Sequence, residues 1–229
     1  MRTAVVIGST GLIGEDLVER LARQGTWSQV LAISRKAKTW ANPKIRTLDF
    51  DFVNWAALEI QISAFAGGHS SLDFFCCLGT TMNAAGSRKQ FKKIDLEAVA
   101  AFAVLAQRCK AEQLLVVSAL GADPESDVFY NRIKGEAEQA VLKRFPGELH
   151  FLRPSLLLGD RKEFRLFERL AMLFAPVYSP LLIGKFAKYK PIESKKVAQV
   201  MVTVAARLKS APTIIENDEI HELSQTKRK

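Results

Sequence analysis

The fold of this chain follows from one stretch near its beginning, Gly8-Ser9-Thr10-Gly11-Leu12-Ile13-Gly14. Its glycines recur every three residues, directly after the apolar run Thr3–Ile7 and directly before a segment of helical periodicity. The first two glycines allow a tight turn and a close approach to a pyrophosphate, and the third lets helix and strand pack closely. An ordinary strand–helix turn rarely needs all three. The stretch therefore predicts a dinucleotide-binding loop in which the start of the helix holds the phosphates.

Apolar, β-rich runs alternate with helical segments along the rest of the chain. This alternation is typical of a parallel sheet with helices on both faces. The predicted strands are Thr3–Ile7, Val30–Ile33, Ile45–Leu48, Leu72–Leu78, Gln113–Ser118, Leu149–Arg153 and a short Thr213–Ile215. The predicted fold class is therefore α/β, a doubly wound parallel sheet of the Rossmann type with a small C-terminal substrate-covering portion.

The helical segments and the domain organisation follow from the same periodicity. We predict one long helix from Ile94 to about Lys110, a helix from about Phe129 to Arg144, and a helix over Ser194–Leu208. An apolar helical stretch, Phe164–Phe174, is expected to cover the substrate cleft, and the alternative is contact with a membrane or a partner. We expect one NAD(P)-binding domain over residues 1–229, in which residues 160–229 supply the substrate lid and the C-terminal elements.

The residues after the second predicted strand indicate which cofactor the loop holds. About twenty residues past the third glycine, an NAD-preferring fold places an acidic residue for the ribose 2′-hydroxyl. This chain has Ser34, Arg35 and Lys36 there instead. A guanidinium can pair with a 2′-phosphate, whereas a carboxylate would repel it. We therefore predict that the cofactor is NADP(H) and that Arg35 binds its 2′-phosphate. The alternative interpretation is that these residues form a solvated basic turn.

Tyr130 and Lys134 are four residues apart on a predicted helix and therefore share one face. An ammonium beside a phenol favours the phenolate, so Tyr130 can act as the acid in carbonyl reduction or the base in alcohol oxidation. The fifth strand ends in Ser118, and ligands of doubly wound folds bind beyond the carboxyl ends of the strands. A hydroxyl there can hydrogen-bond the substrate oxygen. The predicted catalytic residues are Ser118, Tyr130 and Lys134.

Together these residues resemble the short-chain dehydrogenase/reductase superfamily, and the glycine spacing is similar to that of its extended and atypical branches. More narrowly, the chain resembles the Tat-interacting-protein-type oxidoreductases over nearly its whole length. The stretches that carry this narrower likeness are Cys76–Thr81, Ala85-Gly86, Phe91–Asp95, Gly121–Asp123, Lys134–Glu136 and Arg153-Pro154.

The resemblance implies roles for residues at matching positions. The cofactor-lining residues would be Asp49 and Phe50 at the adenine, Leu78, Gly79 and Thr80 at the riboses, Leu156 and Leu157 at the nicotinamide, and Lys134 at the nicotinamide ribose. The chain departs from the pattern at Asp95, where many members have a catalytic asparagine. That puts an asparagine-assisted proton relay in doubt, although a carboxylate could still orient Lys134 or a water.

Composition excludes several other classes of protein. The net charge of +9 is spread along the chain without a recognised nucleic-acid motif, so we expect an anionic cofactor rather than nucleic acid as partner. No apolar run is long enough to span a bilayer and no signal peptide is recognisable, which makes a cytoplasmic location the expectation. The scattered histidines and Cys76, Cys77 and Cys109 show no metal-ligand spacing, so no metal site is predicted and the thiols are expected to be reduced.

Two interpretations of the function follow from these residues. The leading one is an NADPH-dependent oxidoreductase that acts on a small carbonyl or alcohol, with Tyr130 as the proton donor or acceptor. The other is a regulatory protein in which NADP(H) occupancy sets a conformation that a protein partner reads, as the resemblance to atypical members allows. The set Ser118, Tyr130 and Lys134 favours the enzyme, because a sensor would not need those three residue types.

Overall fold

The computed structural model describes residues 2–36, 38–67, 71–158, 188–207 and 213–225. Within these residues the centre of the molecule is a sheet of seven parallel strands in the order β3-β2-β1-β4-β5-β6-β9. The strands of this sheet are β1 Arg2–Ile7, β2 Trp27–Ser34, β3 Ile45–Asp49, β4 Ser71–Cys76, β5 Gln113–Val117, β6 Glu148–Arg153 and β9 Ile214–Glu216. Two short strands, β7 Leu157–Leu158 and β8 Ile192–Glu193, pair with each other beside it. The predicted α/β fold class is confirmed.

Helices connect the strands and cover both faces of the sheet. The described helices are α1 Gly14–Arg23, α2 Trp55–Ala66, α3 Met82–Ala85, α4 Arg88–Lys92, α5 Val99–Arg108, α6 Phe129–Leu142, α7 Ser194–Arg207 and α8 Asn217–Gln225, with a π-helical segment Lys93–Ala98 between α4 and α5. The strand order reverses at β1, which lies between β2 and β4. In doubly wound sheets ligands bind at such a reversal, beyond the carboxyl ends of the strands.

Both faces of the sheet are buried, as expected for an all-parallel sheet. Along β1, Ala4 and Val6 belong to one apolar cluster and Val5 and Ile7 to the other. The first cluster contains core residues of α1 and α7, and the second contains core residues of α2, α5 and α6. Alternating side chains of the central strands therefore anchor helices on opposite faces of the sheet.

A buried polar cluster fastens the opposite, amino-terminal part of the sheet. The carboxylate of Asp73 accepts hydrogen bonds from Arg2 at 2.8 and 3.0 Å, from the Trp27 indole at 2.6 Å and from the Gln113 side chain at 2.9 Å. Arg2 and Gln113 also donate to the carbonyl of Ala205 in α7. Because every partner comes from a different element, this cluster ties the four neighbouring strands β2, β1, β4 and β5 to α7, with the Asp73 carboxylate fully buried at its centre.

Some predicted elements differ from those observed. The helix predicted to run unbroken from Ile94 to Lys110 starts at Arg88 and passes through the π-helical segment before α5. Helix α8 was not predicted, and the final strand is one residue later than expected. The helix expected over 164–174, and with it the expected lid, lies outside the described residues. None of the helices in the described ranges is long and apolar enough to cross a membrane.

Candidate active site

The glycine loop is built so that two of its glycines cannot carry a side chain. Gly8 has φ +77°, and a Cβ there would lie 2.6 Å from the carbonyl oxygen of Cys77 after β4. A Cβ on Gly14 would lie 2.1 Å from the carbonyl oxygen of Gly8. The N–H groups of Gly8 and Ser9 donate to the carbonyl of Ile33 at 3.1 and 3.2 Å. These contacts pack the loop against the ends of β2 and β4 and bring α1 close to the sheet.

Gly11 has different surroundings from the other two glycines. The nearest atoms to a Cβ there would be the carbonyl oxygens of Gly8 at 3.2 Å and Cys77 at 4.0 Å. Within the described residues, the backbone N–H groups of Leu12 and Ile13 donate to no backbone carbonyl. Unpaired N–H groups at the start of a helix favour an anion. The loop therefore presents an open side with free donors, which fits the phosphates of a dinucleotide.

The ends of β2 and β3 and the first turns of α2 form a cleft of about 370 Å³. Ser34 pairs with Asp49 in the sheet register, and the N–H of Phe50 donates to the Ser34 carbonyl at 2.9 Å. This register places Arg35, Asp49 and Phe50 in the wall of one cleft. Its volume lies within the roughly 300–1,000 Å³ of small-molecule pockets. The structure thus brings together the three residues predicted to lie at the adenine end of the cofactor.

Sequence reasoning missed other residues of this cleft, among them Asp51, Asn54 and Gln61. Asn54 also caps α2, since its side chain accepts the N–H of Ala57 at 3.0 Å. An asparagine ahead of a helical pattern is a readable cap signal, and the first residues of a helix that follows a strand lie near that strand's carboxyl end. Position and capping pattern could therefore have found Asn54, whereas Gln61 carries no such signal.

Ser118 follows β5 directly at the carboxyl edge of the sheet. Its N–H donates to the carbonyl of Leu152 at 2.8 Å, so the backbone is held between β5 and β6. Its hydroxyl oxygen is buried and has no hydrogen-bond partner among the described residues. A buried hydroxyl without a partner is costly unless a ligand or water satisfies it. The site is therefore suited to receive one polar atom of a ligand at Ser118.

Lys134 is 5% exposed, on α6, and its ammonium lies 2.8 Å from Oδ1 of Asp95. The other carboxylate oxygen, Oδ2, accepts the N–H of Thr80 at 2.9 Å. Burial alone would lower the pKa of Lys134, but the neighbouring Asp95 carboxylate and the Tyr130 phenol outweigh it and raise this pKa above its ordinary value. Lys134 therefore remains a charged ammonium at neutral pH.

Tyr130 lies one turn before Lys134 at the start of α6 and is 36% exposed. Its ring packs against that of the fully buried Phe91, with the ring centroids 5.6 Å apart. The exposed part of the Tyr130 side chain can therefore contact solvent or substrate, while the packing against Phe91 holds the ring in place. Gly135 allows α6 to pack closely against the segment that contains Pro124, because a Cβ there would lie 2.2 Å from the backbone nitrogen of Pro124.

The other residues predicted to line the cofactor also lie at this edge. A Cβ on Gly79 would be 3.7 Å from both Asp95 Oδ1 and Lys134 Nζ, so the segment Leu78–Thr80 runs past the ion pair. Leu156 accepts the N–H of Ile192 at 2.9 Å, and Leu157 begins β7. The Pro154 carbonyl accepts the N–H of Leu120, two residues after Ser118. The segment carrying Leu156 and Leu157 is therefore tied to the Ser118 loop.

Within the part of the chain that the structure describes, the cysteines and candidate metal ligands form no second reactive centre. Burial raises the pKa of the Cys76 thiol to about 12 and that of Cys77 well above its ordinary value. Both thiols therefore stay protonated and unreactive at neutral pH. In the described ranges no group of three or more histidine, cysteine or acidic side chains is arranged to hold a metal ion.

Comparison with known proteins gives one family match and several relatives. The model of the NAD dependent epimerase/dehydratase family matches residues 4–128. Protein FMP52-1, mitochondrial, from Scheffersomyces stipitis is 33% identical over 162 residues, which cover 70% of this chain and 69% of that protein. Protein HTATIP2 from Rattus norvegicus is 31% identical over 173 residues, covering 76% and 70%. The location in the yeast name belongs to that relative, and a cytoplasmic location stays a prediction for this chain.

Solved structures resemble this fold at low sequence identity. The Bordetella bronchiseptica enzyme WbmG in complex with NAD superposes with a TM-score of 0.65 at 12% identity, covering 94% of this chain and 71% of that one. MoeE5 in complex with UDP-glucose and NAD superposes with a TM-score of 0.63 at 15% identity, covering 98% and 81%. At such identities the likeness concerns the fold.

Proposed function

Because the chain belongs to the NAD dependent epimerase/dehydratase family, we propose that it is an NADP(H)-dependent oxidoreductase acting on a small carbonyl or alcohol. Membership agrees with the resemblance to the short-chain dehydrogenase/reductase superfamily, and HTATIP2 is among the relatives. The observation that carries the proposal is the buried, unpaired hydroxyl of Ser118 at the same sheet edge as the Tyr130–Lys134 helix. That arrangement fits a substrate oxygen that must be held while it gains or loses a proton.

The proposed cofactor lies along the carboxyl edge of the sheet. Its pyrophosphate would face the N–H groups of Leu12 and Ile13 across Gly11, and its adenosine would occupy the cleft of Asp49 and Phe50. Its riboses would follow the segment Leu78–Thr80. The loop follows β1, the cleft follows β2 and β3, and the segment Leu78–Thr80 follows β4, so all three lie beyond the carboxyl ends of neighbouring strands.

The preference for NADP(H) is proposed from the charge at the cleft mouth. Arg35 is exposed and forms no ion pair with any described residue, so its guanidinium is free to meet a 2′-phosphate. Asp49 and Asp51 line the same cleft and repel that phosphate at longer range. A direct charge-assisted hydrogen bond outweighs screened repulsion across solvent, which favours the phosphorylated cofactor.

The chain's own residues would handle the substrate oxygen and its proton. The carbonyl carbon would receive a hydride from NADPH when that cofactor is bound, which is chemistry no side chain can provide. Ser118 donates a hydrogen bond to the carbonyl oxygen, and Tyr130 donates its phenolic proton to the same oxygen, which completes the alcohol. Lys134 stays an ammonium beside the phenol and hydrogen-bonds the nicotinamide ribose. Leu156 and Leu157 would lie against the nicotinamide, and residues 160–229 would supply the substrate lid and the C-terminal elements of the same domain.

The test of the proposal combines cofactor binding with turnover. Purified protein is titrated with NADPH and NADH, and NADPH consumption is then followed against a panel of small aldehydes and ketones. We expect NADPH to bind tighter than NADH and at least one carbonyl to be reduced. Tight binding of NADPH with no turnover on any substrate would favour the regulatory protein that acts through a partner. If neither cofactor bound, both the enzyme and the regulatory interpretation would be contradicted.

Replacing Arg35 with Asp is expected to reverse or erase the preference for NADPH. Loss of a charge-assisted contact costs about 1–3 kcal/mol, or roughly 5- to 150-fold in NADPH affinity, while NADH affinity stays near its original value. Lys44→Asp is the matched control, because it makes the same change of charge at an exposed residue before β3, at the far end of the strand. Equal ratios of NADPH to NADH affinity in both variants would refute the role of Arg35.

A further inference from the structure

Asp95 joins three elements of the candidate site through one buried carboxylate. It is fully buried on the π-helical segment, with Oδ1 at 2.8 Å from the Lys134 ammonium and Oδ2 accepting the N–H of Thr80 at 2.9 Å. Lys134 belongs to α6, and Thr80 to the segment after β4. Both carboxylate oxygens are engaged and neither reaches solvent. The position of the ammonium is therefore defined relative to the segment proposed to carry the riboses.

The local backbone also singles out this position. Residues Lys93–Ala98 form a π-helical turn between two stretches of α-helix, and both Asp95 and Ala98 are buried there. A π-turn adds one residue to a helical turn, is less stable than the α-helix, and is frequent at functional sites. The Asp95 side chain provides contacts that stabilise this wider turn, since it bonds to elements on two sides.

The electrostatic role of Asp95 follows from the burial of Lys134. Among the described residues, the titratable groups that act on Lys134 are Asp95 from the π-helical segment, Cys76 from β4 and Tyr130 from its own helix. Cys76 is a buried, protonated thiol at neutral pH. Asp95 is thus the full negative charge in contact with the ammonium. Without it, burial would dominate and the pKa of Lys134 would fall.

We infer that Asp95 is a positioning residue of the proposed reaction: its carboxylate holds Lys134 charged and fixed against the cofactor segment, directly and without an intervening water. This inference rests on the proposed function and assigns a task to the residue that stands in place of the usual asparagine. An asparagine would offer the buried ammonium a neutral amide oxygen but no opposite charge. Asp95 acts through Lys134 and does not itself touch the substrate oxygen.

The first test is the pH profile of Asp95→Asn. The amide can still accept the N–H of Thr80 but carries no charge, so the variant separates the electrostatic task from the packing one. We expect the alkaline limb of kcat/KM to move about one pH unit or more toward neutral, because Lys134 now loses its proton within the working range. Above the new limb, turnover falls about tenfold per pH unit.

Asp73→Asn is the matched control for this variant. Asp73 is equally buried and equally ion-paired, with Arg2, but it lies at the amino-terminal part of the sheet. Its substitution should lower the unfolding midpoint by several degrees and leave the shape of the pH profile unchanged. If Asp95→Asn also left the profile unchanged while wild-type protein turned over normally, the inference would be overturned and the proposed function would stand.

A second test does not depend on turnover. Asp95→Asn, Lys134→Met and the double variant are compared by thermal unfolding. Each single change leaves one buried group without its partner, whereas the double change removes both, so the double variant should lose less stability than the sum of the singles. Additive losses would contradict a direct coupling. If wild type neither binds nor consumes NADPH, the proposed function fails, and this cycle still decides whether Asp95 holds the Lys134 charge.

Discussion

Replacing Tyr130 with Phe is expected to lower kcat by about 10²–10⁴-fold on the best carbonyl substrate, the usual contribution of a general acid. The phenylalanine ring keeps the packing against Phe91, so the helix should be undisturbed. NADPH affinity should remain within about twofold, because the hydroxyl works on the substrate proton and not on the cofactor. The measurements are single-substrate kinetics and an NADPH titration of the same preparation.

Two companion variants sharpen this result. Tyr189→Phe removes the same hydroxyl from a half-exposed tyrosine that has no part in the proposed proton transfer, so its effect on kcat should be far smaller than that of Tyr130→Phe. Lys134→Ala should reduce both kcat and NADPH affinity, since the ammonium is proposed to serve the phenol and the nicotinamide ribose. Full activity in Tyr130→Phe would require a different proton donor and would end the proposed mechanism.

Replacing Gly11 with Val is expected to abolish NADPH binding while leaving most of the fold intact. A Cβ at Gly11 would lie 3.2 Å from the carbonyl oxygen of Gly8, a tight contact but far less severe than at Gly8 or Gly14, within the loop proposed to bind the pyrophosphate. In wild type, NADPH at a hundred times its Kd should stabilise the fold by about 2.7 kcal/mol, which raises the unfolding midpoint by roughly 5–10 °C. Gly11→Val should lack that rise.

The other glycines give the contrasts that this experiment needs. Gly14→Val should unfold the protein or lower its midpoint strongly even without ligand, because the Cβ would meet the Gly8 carbonyl oxygen at 2.1 Å. Gly25→Val is the neutral control, since nothing lies within 4 Å of a Cβ there. A full NADPH-induced rise in Gly11→Val would show that this loop is not the phosphate site.

Much of the fold could be predicted because its signals are local. The glycine loop, the apolar strands and the Tyr130–Lys134 spacing are each contained in a few consecutive residues. The acidic residues Asp218 and Glu219 at the start of α8 are an equally local signal, since carboxylates stabilise a helix start, and reading it would have found that helix.

What could not be predicted depends on residues distant in the sequence. The pairing of Asp95 with Lys134 joins two elements that periodicity treats separately, and a π-turn leaves the apolar spacing of Ile94, Ala98 and Leu105 looking like one regular helix. In the same way, the sequence alone shows Asp73 only as a polar residue within an apolar strand. Its partners, Arg2, Trp27 and Gln113, become neighbours only once the strand order is known.

The packing of α7 against α1 has a consequence for how the protein is made. Leu17 and Leu21 of α1 share one apolar cluster with Val197 and Met201 of α7, and Arg2 bonds to Ala205. During synthesis the apolar face of α1 therefore stays exposed until α7, which begins at Ser194, has left the ribosome. Contacts this distant along the chain slow folding and leave early intermediates prone to association. A nascent chain stalled before residue 194 should accordingly be held by chaperones and degraded by proteases that spare the finished protein.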